Sequence, residues 1–220
     1  MIIIHNLEEF EPGWESSVIT LGVFDGMHRG HRALIERVQK RSQPEGRARS
    51  LVTYHPHPDL VLGKREAGRH ELFLYEEKIA LYQRFDLDAV IFLPFTKDLA
   101  QMSATRYLEE ILLDRLRARH IIIGHDQRFG KGREGDFDFL EQRADRYGFA
   151  VEQIHAVKFM GAIVSTSRIR STIEDGKVLA ANRLLGHEYF LSALVVRGDQ
   201  RGRTIGFPTA NLELPSDKFI

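Results

Sequence analysis

His28 and His31 stand three residues apart, bracketing Gly30, at the end of the string GVFDGMHRGH that starts at Gly22. In a helix that spacing puts both imidazoles on one face and in one turn. The string follows a β-branched apolar run and passes through Gly22 and Gly26, which let backbone approach a ligand closely. A strand, a tight turn and a helix N-terminus form a phosphate-binding arrangement. The first helical N–H groups lack intrahelical acceptors and carry partial positive charge. Imidazoles there can donate to phosphate oxygens, while the helix dipole disfavours imidazolium. Taken alone, such a pair also fits a capping or surface role.

Three further segments carry chemistry of the same kind. TYHPHP (Thr53–Pro58) holds prolines at 56 and 58, which fix backbone angles and remove donors, so a stiff extended loop is expected. GHDQRFGKGREGD (Gly124–Asp136) is glycine-rich and basic, and its composition alone describes a solvated loop. STSRIR (Ser165–Arg170) offers hydroxyls suited to capping the helix that follows, and two arginines. Hydroxyls, helix N–H groups and an arginine together would bind phosphate.

These segments need a frame that brings them together. Ser17–Phe24 reads as a buried strand and the stretch from about His28 to Arg41 as a helix with Ala33, Leu34, Ile35 and Val38 mainly on one face. A strand over Arg49–Tyr54, a loop from His55 to Arg69 and a helix over about Leu74–Arg84 follow. Then come a strand over Leu87–Leu93, a helix capped by Ser103 and ending near Leu116, and a strand over Ile121–Gly124. A loop over Arg128–Gly135, a helix over about Phe137–Tyr147 and a short strand near Val151–His155 complete the unit. This alternation predicts an α/β fold with a mainly parallel sheet and helices on both faces. Ligands in such sheets bind beyond the carboxyl ends of the strands, where strand order reverses. Segments 25–31, 55–58 and 124–135 should therefore meet at one edge.

Composition narrows the classes. The 220 residues are 43% hydrophobic and 28% charged, ordinary values for a soluble globular protein. Lysine plus arginine equals aspartate plus glutamate, 31 of each, so no whole-chain field draws it to nucleic acid or membrane. The absence of cysteine excludes disulfides, zinc–thiolate sites and cysteine nucleophiles. No apolar run approaches the roughly 20 residues of a membrane span, and the opening residues lack a signal-peptide pattern. A cytoplasmic, soluble protein is expected.

The wider string GVFDGMHRGH resembles the HxGH superfamily of nucleotidyltransferases, and its FAD synthetase branch in particular. TYHPHP is similar to that family's TFxPHP segment, with Tyr54 in place of phenylalanine. Gly124–Asp136 is similar to its GxDFxFGxxxxGD loop, with Gln127 in place of phenylalanine. STSRIR is similar to its SSTxIR motif, with Ser167 where threonine is usual. The resemblance implies a Rossmann-like domain over residues 1–186 that joins FMN to the AMP part of ATP with Mg²⁺, giving FAD and pyrophosphate. It implies catalytic roles for His28, His31 and Arg170. Phosphate or nucleotide contacts would come from Gly22, Phe24, Asp25, Gly26, Gly30, Ser165, Thr166, Ser167 and Arg168. Flavin contacts would come from His57, Pro58, Asp126 and Phe129. Which of Arg168 and Arg170 meets the triphosphate stays open, with alignment favouring Arg170. Other adenylyl- or cytidylyltransferases of the superfamily, and a binding module without turnover, remain alternatives.

After Gly186 helical periodicity ends, and strand and turn chemistry take over. LLGHEYFLSALVVRGDQRGRTIGFPTANL resembles the opening of a riboflavin kinase β-barrel domain. Gly206, Pro208, Thr209 and Asn211 fall in its nucleotide- and Mg-binding motif, and Ala193 stands where glycine is usual. About 35 residues cannot close such a barrel. The expectation for 187–220 is therefore a kinase-like fragment without kinase activity, either disordered or paired with another chain.

Overall fold

The computed structural model describes residues 1–64, 71–199 and 201–220. Six parallel strands form one sheet: β1 (Ile2–Ile4), β2 (Ser17–Leu21), β3 (Ala48–His55), β4 (Ala89–Pro94), β5 (Ala118–Gly124) and β6 (Ala150–Ile154). Their order is β1-β4-β3-β2-β5-β6. The order reverses at β2, which has β3 on one side and β5 on the other. The crevice beyond their carboxyl ends is thus the place where such a sheet binds ligands.

Both sheet faces are covered, so the central strands are buried and mainly apolar, with Ser17, Thr20, Ser50 and Thr53 as buried polar residues. Every residue of β2 is buried. Val18 joins Leu34, Ile35 and Val38 of α1 (Arg29–Ser42) on one face. Ile19 and Leu21 join Leu108 and Leu112 on the other. The first face also takes α3 (Tyr75–Tyr82), α7 (Thr166–Glu174) and α8 (Val178–Leu185) through Leu81, Ile169, Ile173 and Leu184. The second takes α6 (Phe137–Tyr147) and the helix that begins as α5 (Ala104–Arg106) and continues with π-helical geometry over Tyr107–Arg115.

The sequence expectations hold with shifted boundaries. The strand expected to reach Phe24 stops at Leu21, because Phe24 has φ +50°, which no strand residue adopts. The helix expected from His28 starts at Arg29, with His28 as its N-cap. Ser103 caps α5 as expected, its Oγ accepting the Arg106 N–H at 3.2 Å. The loop expected over 55–69 contains a short helix, α2 (Pro58–Val61), and its residues 65–69 lie outside the described residues. Edge strand β1, the short α4 (Lys97–Gln101) and the hairpin of β7 (Lys158–Phe159) and β8 (Ala162–Ile163) were not expected. All are too short for periodicity to register.

The segment after Gly186 contains an antiparallel pair, β9 (Leu194–Val196) and β10 (Asn211–Glu213), with a short helix α9 (Arg201–Thr204) between them. The disorder expected of this segment is not found among its described residues, where β9 and β10 pair with each other. The ribbon is exposed, but residues around 187–192 and 217–219 pack on the sheet domain.

Candidate functional site

Three loops beyond β2, β3 and β5, with the start of α7, enclose two adjoining hollows. The smaller, of about 300 Å³, is lined by Gly22, His28, Gly30, Gly124, Ser165, Thr166 and Ser167 among others. The larger, of about 770 Å³, is lined by Tyr54, His57, Pro58, Phe95, Phe129 and Arg170 among others. Phe24, His31, Asp126, Gln127, Thr166 and Ser167 belong to both walls. His31 therefore stands where the two spaces meet.

The turn from Gly22 to His28 is shaped by local chemistry. Phe24 and Met27 hold φ of +50° and +43° while fully buried, two strained residues within one turn. A Cβ at Gly30 would come 3.1 Å from the His28 ring, so glycine leaves that ring its place. His28 Nδ1 accepts the His31 N–H at 3.3 Å and caps α1, which leaves the His28 proton on Nε2. The two imidazoles stack with centroids 3.7 Å apart. Burial pushes the His28 pKa down to about 4, and burial with the neighbouring His28 holds His31 well below the usual histidine value. Both rings are neutral donors at pH 7, not cations.

Two helix N-termini face the smaller hollow. α1 begins beside His28 and Gly30. α7 is capped by Ser165, whose Oγ accepts the Arg168 N–H at 3.3 Å. Each presents unpaired N–H groups and partial positive charge, the setting that holds phosphate. The larger hollow adds Lys64, Arg128, Lys131, Arg133 and Arg170 against Asp25, Asp59 and Asp126, so its wall is net basic. It suits an anionic ligand with a sizeable apolar body.

The two arginines of STSRIR part ways. Arg170 lines the larger hollow and donates to Asp25 Oδ2 at 2.5 Å. Arg168 turns back to the carbonyls of Phe159, Ala162 and Ile163, and so pins the β7–β8 hairpin. Asp25 is buried and also accepts from the Leu72 and Phe73 N–H groups at 3.3 and 3.4 Å. Thr166 Oγ1 donates to the Asp25 carbonyl at 3.2 Å, tying α7 to the glycine turn. Two buried polar atoms here have no protein partner, His31 Nδ1 and Arg170 Nε.

Most of the expected site residues come together, in different capacities. His57 Nδ1 accepts the Asp59 N–H at 3.1 Å and caps α2 at the rim of the larger hollow, beside Pro58. Asp126 stands exposed on the shared wall. Phe129 is almost wholly buried against Tyr107 and Phe139 and shows the hollow one edge. Gly26, at φ +94°, lines neither hollow and faces Leu72 and Leu185, so its part is to allow the turn. Gly206, Pro208, Thr209 and Asn211 are exposed and lie in neither wall.

Two of the departures from the motif patterns, Tyr54 and Gln127, are accommodated locally. Tyr54 is almost wholly buried, and its hydroxyl meets the Tyr107 hydroxyl at 3.0 Å, so the added oxygen is paired. Burial raises the Tyr54 pKa to about 12. Gln127 folds onto its own loop, its Nε2 donating to the Arg128 carbonyl at 3.2 Å. Tyr107 and Phe95 are wall residues that sequence reading missed. Both sit in stretches whose apolar character is equally that of core.

Residues 11–168 match the family model described as FAD synthetase, and residues 185–220 match that described as riboflavin kinase. The chain belongs to the FAD synthetase family. It is 37% identical over 215 residues to the bifunctional riboflavin kinase/FMN adenylyltransferase of Escherichia coli K12, covering 96% of this chain and 66% of that protein. It is 31% identical to the bifunctional riboflavin kinase/FMN adenylyltransferase of Bacillus subtilis, covering 93% of this chain and 64% of that protein. This member of the FAD synthetase family thus spans about two thirds of the length of these relatives. The crystal structure of a macrolide-efflux protein from Streptococcus pneumoniae superimposes on all of this chain and 71% of its own, with TM-score 0.87 and 27% identity. Among the described residues of the present chain no helix is long and apolar enough to cross a membrane.

Proposed function

We propose that this chain transfers AMP from ATP to FMN, forming FAD and pyrophosphate. One observation carries the reading: His31 Nδ1 and Arg170 Nε are buried without protein partners beside two adjoining hollows. A buried unpaired polar atom costs about 1–3 kcal/mol, and a ligand phosphate would supply the missing partner for Arg170. The smaller, N–H-rich hollow takes the triphosphate. The larger, with Tyr54, Phe95 and Phe129 in its wall, takes the flavin.

In the step itself, an oxygen of the FMN phosphate attacks the α-phosphorus of ATP. The bond from that phosphorus to the oxygen bridging to the β-phosphate breaks, and its electron pair leaves with pyrophosphate. The nucleophile is already ionised, so no general base is required. Catalysis then comes from alignment and from stabilising charge on the α- and β-phosphates. His28 donates through Nε2, His31 acts at the junction, and Arg170 brings positive charge held in place by Asp25. Thr166, Ser167 and the N-termini of α1 and α7 hold the remaining phosphate oxygens. Mg²⁺ enters with ATP as part of the substrate. Asp126, expected to contact nucleotide or flavin and exposed on the shared wall, would be free to meet such an ion, since Asp25 is already bonded to Arg170.

The same reading makes residues 1–186 the transferase domain and 187–220 the opening of a riboflavin kinase-like barrel. It assigns no kinase step to the described residues, because Gly206, Pro208, Thr209 and Asn211 are exposed beside a two-stranded ribbon. The protein is expected to act on small molecules in the cytoplasm, without a nucleic-acid partner. Incubation with FMN, ATP and Mg²⁺, with riboflavin and ATP in parallel, tests the proposal by chromatography. FAD from FMN, without FMN from riboflavin, supports it. Folded protein that binds ATP and makes no FAD refutes it, in favour of another acceptor or a binding role.

A further inference from the structure

Lys218 is the most deeply buried cation in the described structure, fully shielded from solvent. Its three ammonium donors are all used: on the Leu72 carbonyl at 2.6 Å, on Glu77 Oε2 at 2.7 Å and on the Phe190 carbonyl at 2.8 Å. The ammonium also lies 4.6 Å from the centre of the Phe73 ring and 4.7 Å from that of Tyr189. The flanking backbone pairs with residue 71: the Glu71 N–H donates to the Asp217 carbonyl at 3.1 Å, and the Phe219 N–H to the Glu71 carbonyl at 2.9 Å.

This anchor shares a residue with the phosphate site. Leu72 gives its carbonyl to Lys218 and its N–H to Asp25, and Asp25 in turn holds Arg170. A second path runs through Phe219, whose ring centre lies 6.0 Å from the Arg170 guanidinium carbon and whose carbonyl is held by the Tyr189 hydroxyl. A third contact joins His187 Nε2 to the Gly26 carbonyl at 3.0 Å, on the glycine turn itself.

We propose that Lys218 is a positioning residue for adenylyl transfer, fixing Arg170 through Leu72 and Asp25 and through Phe219. The kinase-like segment is thereby part of the transferase site, a conclusion that rests on the function proposed above. The residue touches no substrate in this assignment and acts only through others.

A double-mutant cycle tests it, with wild type, Lys218→Met, Arg170→Lys and the double variant assayed for FAD formation. Lys218→Met is expected to lower kcat about tenfold, with KM for FMN changed by less than about twofold, in line with couplings between residues of one network. In the Arg170→Lys background the same change should cost no more than roughly twofold, because the arginine it positions is gone. Equal losses in both backgrounds overturn the proposal and leave Lys218 a stabilising residue. If Lys218→Met does not fold, Tyr189→Phe replaces it, since it frees the Phe219 carbonyl while keeping the lysine. A few-fold loss that disappears with Arg170→Lys supports the proposal, and an equal loss overturns it. If wild type makes no FAD, the functional reading fails by itself. The coupling is then read from the rise in Tm that ATP causes across the same set. A rise reduced by Lys218→Met only where Arg170 is present supports positioning, and equal reductions overturn it.

Discussion

The sheet domain and the segment after Gly186 are held by opposite means. In the sheet domain, strands such as β2 and β4 are buried over nearly their whole length and pack against helices on both faces. At roughly 25 cal/mol per Å² of apolar surface, that burial supplies the driving force without any one contact being decisive. In the later segment Leu194, Val195, Ile205 and Phe207 are 65–74% exposed, and the β9–β10 ribbon has no core of its own. What fixes this segment is one lysine with every donor satisfied, together with His187 and the rings of Tyr189, Phe190 and Phe219 packed on the core. Apolar area selects a class of packing, whereas a buried charge with three partners selects one register. The contrast teaches that apolar content does not tell which parts of a chain are anchored.

The sharpest test of the contrast lies inside the domain. His31→Ala is expected to lower kcat by about 10²–10³, or roughly 3–4 kcal/mol, with little change in Tm, as for the loss of one transition-state donor. Steady-state FAD formation measures it, and near-normal turnover would remove His31 from the proposed role.

Stability against pH comes next. His28 has a folded pKa of about 4 against 6.5 in the unfolded chain, so on acidification the unfolded state takes up the proton first. The His28 contribution is complete above pH 6.5, declines as pH falls toward 4 and is then exhausted. It amounts to roughly 3 kcal/mol. His31 acts in the same direction. Chemical denaturation between pH 7 and 4 should therefore show a steep loss that His28→Asn, which keeps a capping oxygen, makes shallower. An unchanged slope would mean that the burial of His28 is not what couples folding to protons.

A smaller effect probes the paired tyrosines. Tyr54→Phe strands the buried Tyr107 hydroxyl and should cost about 1–3 kcal/mol, while Tyr54→Phe with Tyr107→Phe should recover most of it. Urea denaturation of both variants decides this, and an equally unstable double variant would show that the pair is not what matters. The smallest effect is expected in the ribbon. Phe207→Ser should change stability by no more than about 0.5 kcal/mol despite removing a large apolar side chain. A loss of several kcal/mol by the same assay would erase the distinction between the two regions.

Much of the site was legible before any coordinates. The strand–glycine–helix pattern around His28, and the placement of 55–58 and 124–135 after strands, required them to meet beyond one sheet edge, which the order β1-β4-β3-β2-β5-β6 brings about. Element types could be read because alternation and helical spacing follow from local backbone geometry. Boundaries failed where a single residue overrode its neighbours, as Phe24 does by taking φ +50° in an apolar run that otherwise reads as strand.

Other facts belong to the tertiary structure alone. Sequence supplies two arginines in STSRIR, and only the packing of α7 sends Arg168 to the β7–β8 carbonyls and Arg170 to Asp25. Sequence supplies Lys218 as one lysine among many, with no pattern to mark it as buried. Its place depends on Leu72, Glu77 and Phe190, up to 146 positions away along the chain. Local pattern determined which residue types could do the chemistry, because that pattern is set by near neighbours. Which of them face one another was decided by long-range packing, because contacts of that separation leave no period in the sequence.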